Sequence, residues 1–302
     1  MNIKDNIKKC LIWGTGIYFR NNIRLIKYYE QLEEIKIIGV TSNDSFYDNI
    51  LNYPFIKKSD IPTIDFDILI IMAEKKVFLD IKKEAIAMGI NEYNIIPINV
   101  ISLPGFTFDK YISIKKSIPT IFSPNCWGGV TYNSLGLEFK SPLINMYMSH
   151  NDYIKFLSKP LHYINSTVVF YKNTYSAPLK QNYPIGKCDD ILLHFNHYNS
   201  FDEALSCWNR RKSRIDWNNL FVMYYDDNKE RLDIFNNLSF DNKICFVPYE
   251  TNIPNYIGIN YKKNGSQKPF HEIVNGTATG SNIYYDVFDL ILHKKFTPLA
   301  QI

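Results

Sequence analysis

The sequence has few cysteines, and none are spaced for a metal site. Its five cysteines are scattered along 302 residues, are odd in number and include no CxxC pair: Cys10, Cys126, Cys188, Cys207 and Cys245. This arrangement excludes a zinc ribbon and a small disulfide-stapled secreted domain. We therefore expect free thiols in a reducing cytoplasm and assign no metal ligands.

A long apolar run and a large charge excess are also missing. No segment approaches the roughly 18 consecutive apolar residues that a transmembrane helix requires. The N-terminal segment MNIKDNIKKCLIWGTG carries charges without a long apolar stretch, so we expect no signal peptide. The formal net charge of +4 is too small to indicate a nucleic-acid partner.

Hydrophobic side chains, by contrast, are plentiful. They make up 46% of the chain, against 21% charged residues, with 22 Tyr and 20 Phe. This balance is typical of a globular protein, and it leaves aromatic residues for a binding surface as well as a core. The length allows one large domain or two of ordinary size.

Apolar and amphipathic segments alternate over the first hundred residues. The apolar segments predict strands at Cys10–Trp13, Ile35–Val40, Phe66–Ala73 and Asn94–Val100. The segments IYFRNNIRLIKYYEQL and VFLDIKKEAIAMG have helical spacing, and Gly89 is typical of the residue that follows a helix. The alternation predicts a parallel sheet with helices on its faces.

A glycine pair, Gly14-Thr15-Gly16, lies between the first strand and the first helix. A phosphate can meet a helix N-terminus at such a turn. The third glycine of the dinucleotide fingerprint is replaced by Phe19, and no acid follows the second strand before Asp44. We assign Gly14, Thr15 and Gly16 as candidate cofactor-binding residues for a nucleotide or nucleotide-sugar. The alternative is a scaffold whose glycines only make the turn.

The residues IWGTGIYFRNN, IKIIGVTSND and FDILIIMAEKKVFLDIKKEAIAMGINEYNII carry a resemblance. They resemble the small Rossmann-like domains that precede sugar-modifying domains in bacterial polysaccharide clusters. The resemblance runs from Cys10 to Val100 and implies a nucleotide-sugar or regulatory ligand.

A segment with prolines, a glycine and clustered lysines, ISLPGFTFDKYISIKKSIPT, is typical of a linker. We place the linker at about residues 105–117, between a Rossmann-like domain at 1–104 and a second domain at 118–302. Strands are predicted in the second domain at IPTIFS, ILLHF, NNLFVMYYDD and KICFVP. Helices are predicted between them and at the C-terminal segment Gly276–Lys295, so the second domain is predicted to be a three-layer α/β domain.

The segment FSPNCWGGVTYNSLG places a cysteine beside two glycines. Asn125 is a good N-cap, so Cys126 is predicted at a helix N-terminus, where free N–H groups favour a thiolate. Gly128 and Gly129 leave room for a substrate. These features are typical of a cysteine nucleophile, and the alternative is a buried cysteine whose glycine neighbours serve packing.

A cysteine nucleophile needs a base, and the segment YPIGKCDDILLHFNHY offers two histidines. His194 lies within the predicted strand ILLHF and is the preferred base. His197 is nearer the following turn and could cap or orient it. Asp189 and Asp190 precede the strand and could orient an imidazole. The alternative for each histidine is a set of local hydrogen bonds.

Charged side chains mark two further positions. Arg210 and Arg211 lie on the last turns of a helix opened by the capping box Ser200–Glu203. They could bind a phosphate, a pyrophosphate or an acidic sugar, or only compensate the helix dipole. Asp226 and Asp227 end a predicted strand, where acids bind metal or ribose in many nucleotide-sugar glycosyltransferases, although the pair does not match the usual D-x-D pattern.

The second domain resembles the bacterial domain-of-unknown-function family nineteen-nineteen, whose members are often labelled exopolysaccharide biosynthesis proteins. The resemblance is carried by NCWGGVTYNSLGLEFKSPLINMYM, DYIKFL and YPIGKCDDILLHFNHYNSFDEALSCWNRRKSRIDWNNLFVMY. It implies a role in bacterial polysaccharide synthesis without identifying a reaction. The family pattern falls on Asn125, Cys126, Gly128, Gly129, Tyr132, Gly136, Ser141, Pro142, Asn145, Gly186, Asp190, His194, His197, Tyr198, Trp208, Arg210 and Arg211.

Three functions stay open at this point. The first is a Cys–His acyl-transfer or hydrolytic enzyme acting on a glycan or a small-molecule precursor. The second is a nucleotide-sugar-dependent transferase that uses Asp226 or Asp227. The third is a non-enzymatic scaffold with a nucleotide-sensing domain. For the first, the predicted catalytic residues are Cys126, His194, His197 and Asp190, and the predicted substrate-binding residues are Asn125, Gly128, Gly129, Tyr132, Arg210 and Arg211.

Overall fold

The computed structural model describes residues 7–43, 49–259, 274 and 284–299. The chain divides into two units, Met1–Ile112 and Ser113–Ile302. The division falls inside the segment expected to be a linker, and the chain there forms a helix, Phe108–Lys116. Both units contain a parallel sheet with helices, which confirms the predicted α/β class.

The first unit is built on a four-stranded parallel sheet with the strand order β2-β1-β5-β6, and β3 and β4 form a separate antiparallel ribbon. Its described elements are β1 (Lys8–Trp13), α1 (Ile17–Gln31), β2 (Ile35–Thr41), β3 (Asn49–Ile50), β4 (Tyr53–Pro54), β5 (Ile68–Ile71), α2 (Lys75–Ala87), β6 (Ile95–Pro97), α3 (Ile98–Ile101) and α4 (Phe108–Lys116).

The strand predicted at Asn94–Val100 is confirmed only in its first half. β6 ends at Pro97, and the residues after it form the short helix α3. A short buried helix and a buried strand have the same apolar composition, so periodicity could not separate them over so few residues.

Gly14 fixes the turn that follows β1. Its φ is +123°, and an added Cβ would lie 2.7 Å from the Met72 carbonyl oxygen. The Gly14 N–H donates to the Thr41 carbonyl, and the Met72 N–H donates to the Trp13 carbonyl, each at 2.9 Å. This glycine therefore allows the ends of β1, β2 and β5 to approach one another.

The second unit combines a four-stranded parallel sheet, in the order β13-β12-β11-β7, with a three-stranded antiparallel sheet, in the order β10-β9-β8. Its described elements are β7 (Thr120–Phe122), α5 (Trp127–Ser134), α6 (His150–Ser158), α7 (Pro160–Asn165), β8 (Val168–Ser176), β9 (Gln181–Cys188), β10 (Ile191–His194), α8 (Phe201–Lys212), β11 (Leu220–Tyr225), α9 (Lys229–Asn237), β12 (Lys243–Val247), β13 (Tyr256–Gly258) and α10 (Val287–His293).

The antiparallel sheet was not predicted from the sequence. Pro184 and Gly186 lie inside β9, and both residues weaken a strand prediction. An added Cβ on Gly186 would meet Val168 and Phe195 within 3 Å, so this glycine permits close packing. Much of the helix predicted at Gly276–Lys295 lies outside the described residues, and its described part contains α10.

Both faces of the parallel sheet are covered, because alternate strand residues belong to two different apolar clusters. Phe122, Val222 and Tyr224 pack with residues of α6 to α9 and of the antiparallel sheet. Ile121 and Phe221, on the other face, pack with residues of α5 and α10. Because α5 follows β7 and α9 follows β11, helices on both faces begin after the carboxyl ends of these strands.

The Gly14 turn predicts a position-specific effect on stability. Gly14→Ala should lower the free energy of unfolding by about 1–3 kcal/mol, because alanine disfavours this φ and its Cβ collides with the Met72 backbone. Gly16→Ser is the matched control, because nothing lies within 4 Å of an added Cβ there and serine is a good N-cap. Urea denaturation of the full chain measures both. An unchanged Gly14→Ala variant would contradict this account of the turn.

Candidate functional site

Five residues from three segments meet where the central strands of the second unit end, and we call this group the carboxyl edge. Asn125 and Cys126 follow β7, Tyr225 ends β11 and Asp226 follows it, and His150 begins α6. The Met148 N–H donates to the Pro124 carbonyl at 2.8 Å, which brings the start of α6 beside the start of α5. Carboxyl ends of parallel strands are the usual ligand-binding edge of α/β sheets.

Cys126 lies at the N-terminus of α5, as predicted, but it is itself the N-cap, one residue after the cap predicted at Asn125. The Asn125 side chain accepts a hydrogen bond from the Trp127 N–H at 2.9 Å, and the Ser123 hydroxyl accepts one from the Gly128 N–H at 3.0 Å. Two N–H groups of the first turn are therefore already paired with neighbouring side chains.

The environment of the thiol differs from the expectation. Cys126 is half-buried, and burial raises the pKa of its thiol. Within the described residues the sulfur makes no hydrogen bond. Burial therefore opposes the thiolate that the helix N-terminus is expected to favour, and Asn125 and Ser123 already pair with two of the N–H groups. A reaction at this sulfur needs a base.

The residues that follow Cys126 pack α5 against the sheet. An added Cβ on Gly128 would lie 3.0 Å from the Ser123 hydroxyl oxygen, and one on Gly129 would lie 3.4 Å from Ile144. Tyr132 is fully buried, and its hydroxyl donates to the Pro119 carbonyl at 2.6 Å. These contacts explain the three residues by packing, and their binding of substrate stays a prediction.

The preferred base, His194, lies in an aromatic group. Its ring stacks on Tyr147 at 4.4 Å, and its Nδ1 lies 3.3 Å from the Tyr183 hydroxyl. Its backbone exchanges two hydrogen bonds of 2.9 Å with Tyr147, so the segment Tyr147–Met148 runs between His194 and Pro124. No hydrogen bond joins His194 to Cys126 in the part of the chain that the structure describes.

His197 and the two acids have other surroundings. His197 is exposed, and its backbone N–H donates to the Asn145 carbonyl at 3.4 Å. Asp190 accepts from the Lys155 ammonium at 2.8 Å and from the Tyr163 hydroxyl at 2.7 Å. Both Asp189 and Asp190 lie in the β9–β10 turn, at the opposite end of β10 from His194.

This placement separates the two acids from the ring of His194, so an imidazole oriented by them has to be a different one. Asp189 does contact an imidazole, but it is that of His162, whose Nε2 lies 2.8 Å from the carboxylate. The catalytic roles assigned to His194, His197 and Asp190 stay predictions.

The two arginines also lie in different environments. Arg211 is 6% exposed, its Nη1 donates to the Tyr198 hydroxyl at 2.6 Å, and its guanidinium lies 5.1 Å from the Phe139 ring centroid. Arg210 is exposed, with one nitrogen 3.5 Å from the Cys207 sulfur. Arg211 therefore stabilises the interior, while Arg210 is accessible to an anionic ligand.

Asp226 is the most strongly held group at the carboxyl edge. Its side chain is 2% exposed and pairs with both Nε and Nη2 of Arg231, at 2.6 and 3.0 Å. It also accepts from the N–H groups of Asp227 and Asn228, at 2.8 and 3.1 Å, and from the Tyr224 hydroxyl. Burial would raise its pKa, but the hydrogen bonds from Arg231, Tyr224 and the backbone outweigh burial and hold it at about 2.

His150 is a candidate site residue that the sequence analysis did not identify. Its Nδ1 lies 3.3 Å from the Tyr224 hydroxyl and 3.5 Å from the Asp226 carboxylate. Ser149 caps α6 by accepting from the Asp152 N–H at 3.1 Å. A capping serine followed three residues later by an acid was the local signal that could have placed His150 at a helix start.

No group of three His, Cys, Asp or Glu side chains suited to a metal ion occurs among the described residues. In the first unit, Gly16 is the N-cap of α1 without a side-chain hydrogen bond, and no acid lies in the first turn of that helix. Gly14 approaches the Met72 backbone, and Asp44 lies outside the described residues. Nucleotide binding by Gly14, Thr15 and Gly16 stays a prediction.

Over the ranges that the structure covers, no helix combines the length and the apolar character that crossing a bilayer demands.

Asp226 and its exposed neighbour Asp227 provide a matched stability test. Asp226→Asn should lower the free energy of unfolding by about 2–3 kcal/mol at pH 7, because it leaves Arg231 without its buried carboxylate. Asp227→Asn should change it by less than about 0.5 kcal/mol. Urea unfolding of the full chain measures both.

The effect of Asp226→Asn should also depend on pH. The pKa of Asp226 is about 2 in the folded chain, below its usual 3.8. The stabilisation is therefore complete above pH 3.8 and is lost as the pH falls toward about 2. A difference between wild type and variant that stayed constant across this range would contradict the assignment.

Comparison with known proteins identifies the family. Residues 6–96 match the family described as "C2185-like, N-terminal", and residues 98–294 match the family described as "Domain of unknown function (DUF1919)". An uncharacterised protein of Haemophilus influenzae is 30% identical over 177 residues, which cover 57% of this chain and 82% of that protein. Because the second of the family matches covers more than half of the sequence, the chain belongs to the DUF1919 family.

Proposed function

We propose that the second unit is an enzyme that transfers or hydrolyses an acyl group on a bacterial glycan or its precursor, with Cys126 as the nucleophile. One observation carries the proposal: a partly buried thiol lies at the carboxyl edge and makes no hydrogen bond within the described residues. Ligands of α/β sheets bind at such edges, and an unpaired thiol there is available for attack.

Among the five cysteines, all of which are described, the position of Cys126 is distinctive. Cys10, Cys188 and Cys245 are fully buried. Cys207 is half-buried on α8, where Arg210 donates to its sulfur at 3.5 Å. Three of the other thiols are buried and Cys207 lies within α8 beside Arg210, so Cys126 is the thiol at the carboxyl edge that the proposal assigns as nucleophile.

The substrate class rests on the family resemblance, since members of family nineteen-nineteen are often labelled exopolysaccharide biosynthesis proteins. Free thiols at all five cysteines support a reducing, cytoplasmic setting. The exposed Arg210 is a candidate contact for an anionic part of the substrate.

Acylation of the thiol tests this function. After incubation with p-nitrophenyl acetate and an acid quench, wild-type protein should carry one acetyl group on Cys126, located by peptide mass spectrometry. Cys126→Ser should carry none on this peptide, and Cys207→Ser, the matched control, should react as wild type does. Acetylation confined to Cys207, or absent altogether, would reject the proposal.

A second candidate is supported by Asp227, which is exposed beside Asp226 and makes no side-chain hydrogen bond within the described residues. The Asp226 carboxylate is already paired with Arg231. Of the two adjacent acids, Asp227 is therefore the one that can contact a ribose hydroxyl or a metal-bound diphosphate. This arrangement supports a nucleotide-sugar-dependent transferase.

Calorimetric titration tests this second candidate. With manganese present, a UDP- or GDP-sugar should bind the wild-type protein, and Asp227→Asn should lose the binding because its carboxylate is gone. Asp233→Asn, a change of another exposed acid on α9, should keep it. No binding across the panel, with or without manganese, would exclude the transferase. A cellular phenotype unchanged by both Cys126→Ser and His194→Ala would support the non-enzymatic scaffold.

A further inference from the structure

We infer that His150, and not His194, is the general base for Cys126, with Asp226 and Tyr224 as its positioning residues. This inference rests on the proposed function, because it assigns the proton acceptor that a thiol with a raised pKa requires. None of these three residues was among the catalytic residues that the sequence predicted.

The backbone brings His150 to the thiol's side of the sheet edge. His150 is the first residue of α6, two positions after Met148, whose N–H donates to the Pro124 carbonyl at 2.8 Å. Cys126 lies two positions after Pro124. His150 and Cys126 therefore each lie two residues beyond one partner of the hydrogen bond between Met148 and Pro124.

The polar contacts of the His150 imidazole are made by its Nδ1 atom. Nδ1 faces the Tyr224 hydroxyl at 3.3 Å and the Asp226 carboxylate at 3.5 Å. The side chain is 37% exposed, and Nε2 makes no hydrogen bond within the described residues. A proton on Nδ1 directed at these two oxygens leaves the lone pair on Nε2 as the acceptor, which is the tautomer that a base needs.

Tyr225 contacts both His150 and the residue that precedes Cys126. Its ring meets the His150 ring edge-on, with 5.1 Å between centroids. Its phenol hydrogen bonds to the side chain of Asn125, the residue before Cys126. Tyr225 thus links His150 to the segment that leads into α5.

His194 lacks the corresponding arrangement. Its Nδ1 faces the neutral hydroxyl of Tyr183, and Tyr147 covers a face of its ring. No carboxylate among the described residues lies within ion-pair distance of it. Since a carboxylate both orients an imidazole and stabilises its protonated form, His150 is the better placed base.

The charges around His150 suit a base at neutral pH. The charged groups that face it are Asp226 and Asp227, after β11, and Arg231, on α9. Burial and Arg231 lower its pKa, and the two carboxylates oppose this effect without reversing it. The imidazole is therefore neutral at pH 7 and can accept a proton, while Asp226 stays ionised.

The reaction balances with these groups alone. His150 takes the proton of the Cys126 thiol as the sulfur bonds to the acyl carbon, and the bond to the leaving oxygen breaks as that oxygen receives the proton. Water or an acceptor hydroxyl then attacks the thioester and gives its proton to His150. The carbon–sulfur bond breaks, and the sulfur takes that proton to restore the thiol.

The release of acetate from acetyl-Cys126 tests this assignment. The protein is acetylated with p-nitrophenyl acetate, and loss of the acetyl group is followed by mass spectrometry from pH 5 to pH 9. The wild-type rate should fall below the lowered pKa of His150 and be level above it. His150→Gln should release acetate at least about 100-fold more slowly at pH 7, and its rate should follow hydroxide concentration without a level region.

His194→Gln and His197→Gln are the matched controls and should keep the wild-type rate and profile. Unfolding of His150→Gln is measured in parallel, and His150→Asn replaces it if that variant is unstable. A wild-type rate of acetate release in either His150 variant, or a loss of release confined to His194→Gln, would overturn the assignment of His150 as the base. Cys126 would remain the proposed nucleophile in that case. If acetyl-Cys126 never forms in the wild-type protein, the proposed function fails, and the assignment of His150 fails with it.

Discussion

The carboxyl edge depends on the ion pair and hydrogen bonds of the ionised Asp226 carboxylate. This carboxylate lies at the end of a central strand, almost wholly out of water, and stays charged because Arg231, Tyr224 and two backbone N–H groups contact it. Leaving such a charge unpaired costs several kcal/mol, so its partners are strongly constrained. The ion pair joins the end of β11 to α9, and the approach of His150 joins both to α6.

The charge of Asp226 also sets the chemistry that the edge can support. A thiol whose pKa is raised by burial is a poor nucleophile by itself, because little thiolate exists at neutral pH. In the proposed reaction a neutral imidazole beside a permanent carboxylate is the base that this thiol requires, since the carboxylate stabilises the cation formed on proton transfer. The raised pKa of Cys126 and the lowered pKa of His150 are thus complementary, and both arise mainly from burial.

Packing accounts for much of the family pattern around the thiol. Gly128 and Tyr132 pack α5 against β7 and the residues that precede it. Arg211 donates a hydrogen bond to the buried Tyr198 hydroxyl. Tyr198 in turn donates to the Ile144 carbonyl at 3.0 Å, next to the segment that leads to α6. A residue pattern shared by a family can therefore include side chains that shape the edge without touching a ligand.

The sequence by itself determined the α/β class, most strands, about half of the helices, the helix start near Cys126 and the acids that follow β11. These features follow from local periodicity, caps and turns, which act over a few residues. Only the tertiary structure decided that His150 meets Tyr224 and Asp226, because His150 and Tyr224 are 74 positions apart. It also decided the pKa of Cys126, since burial depends on the whole fold and not on neighbouring residues.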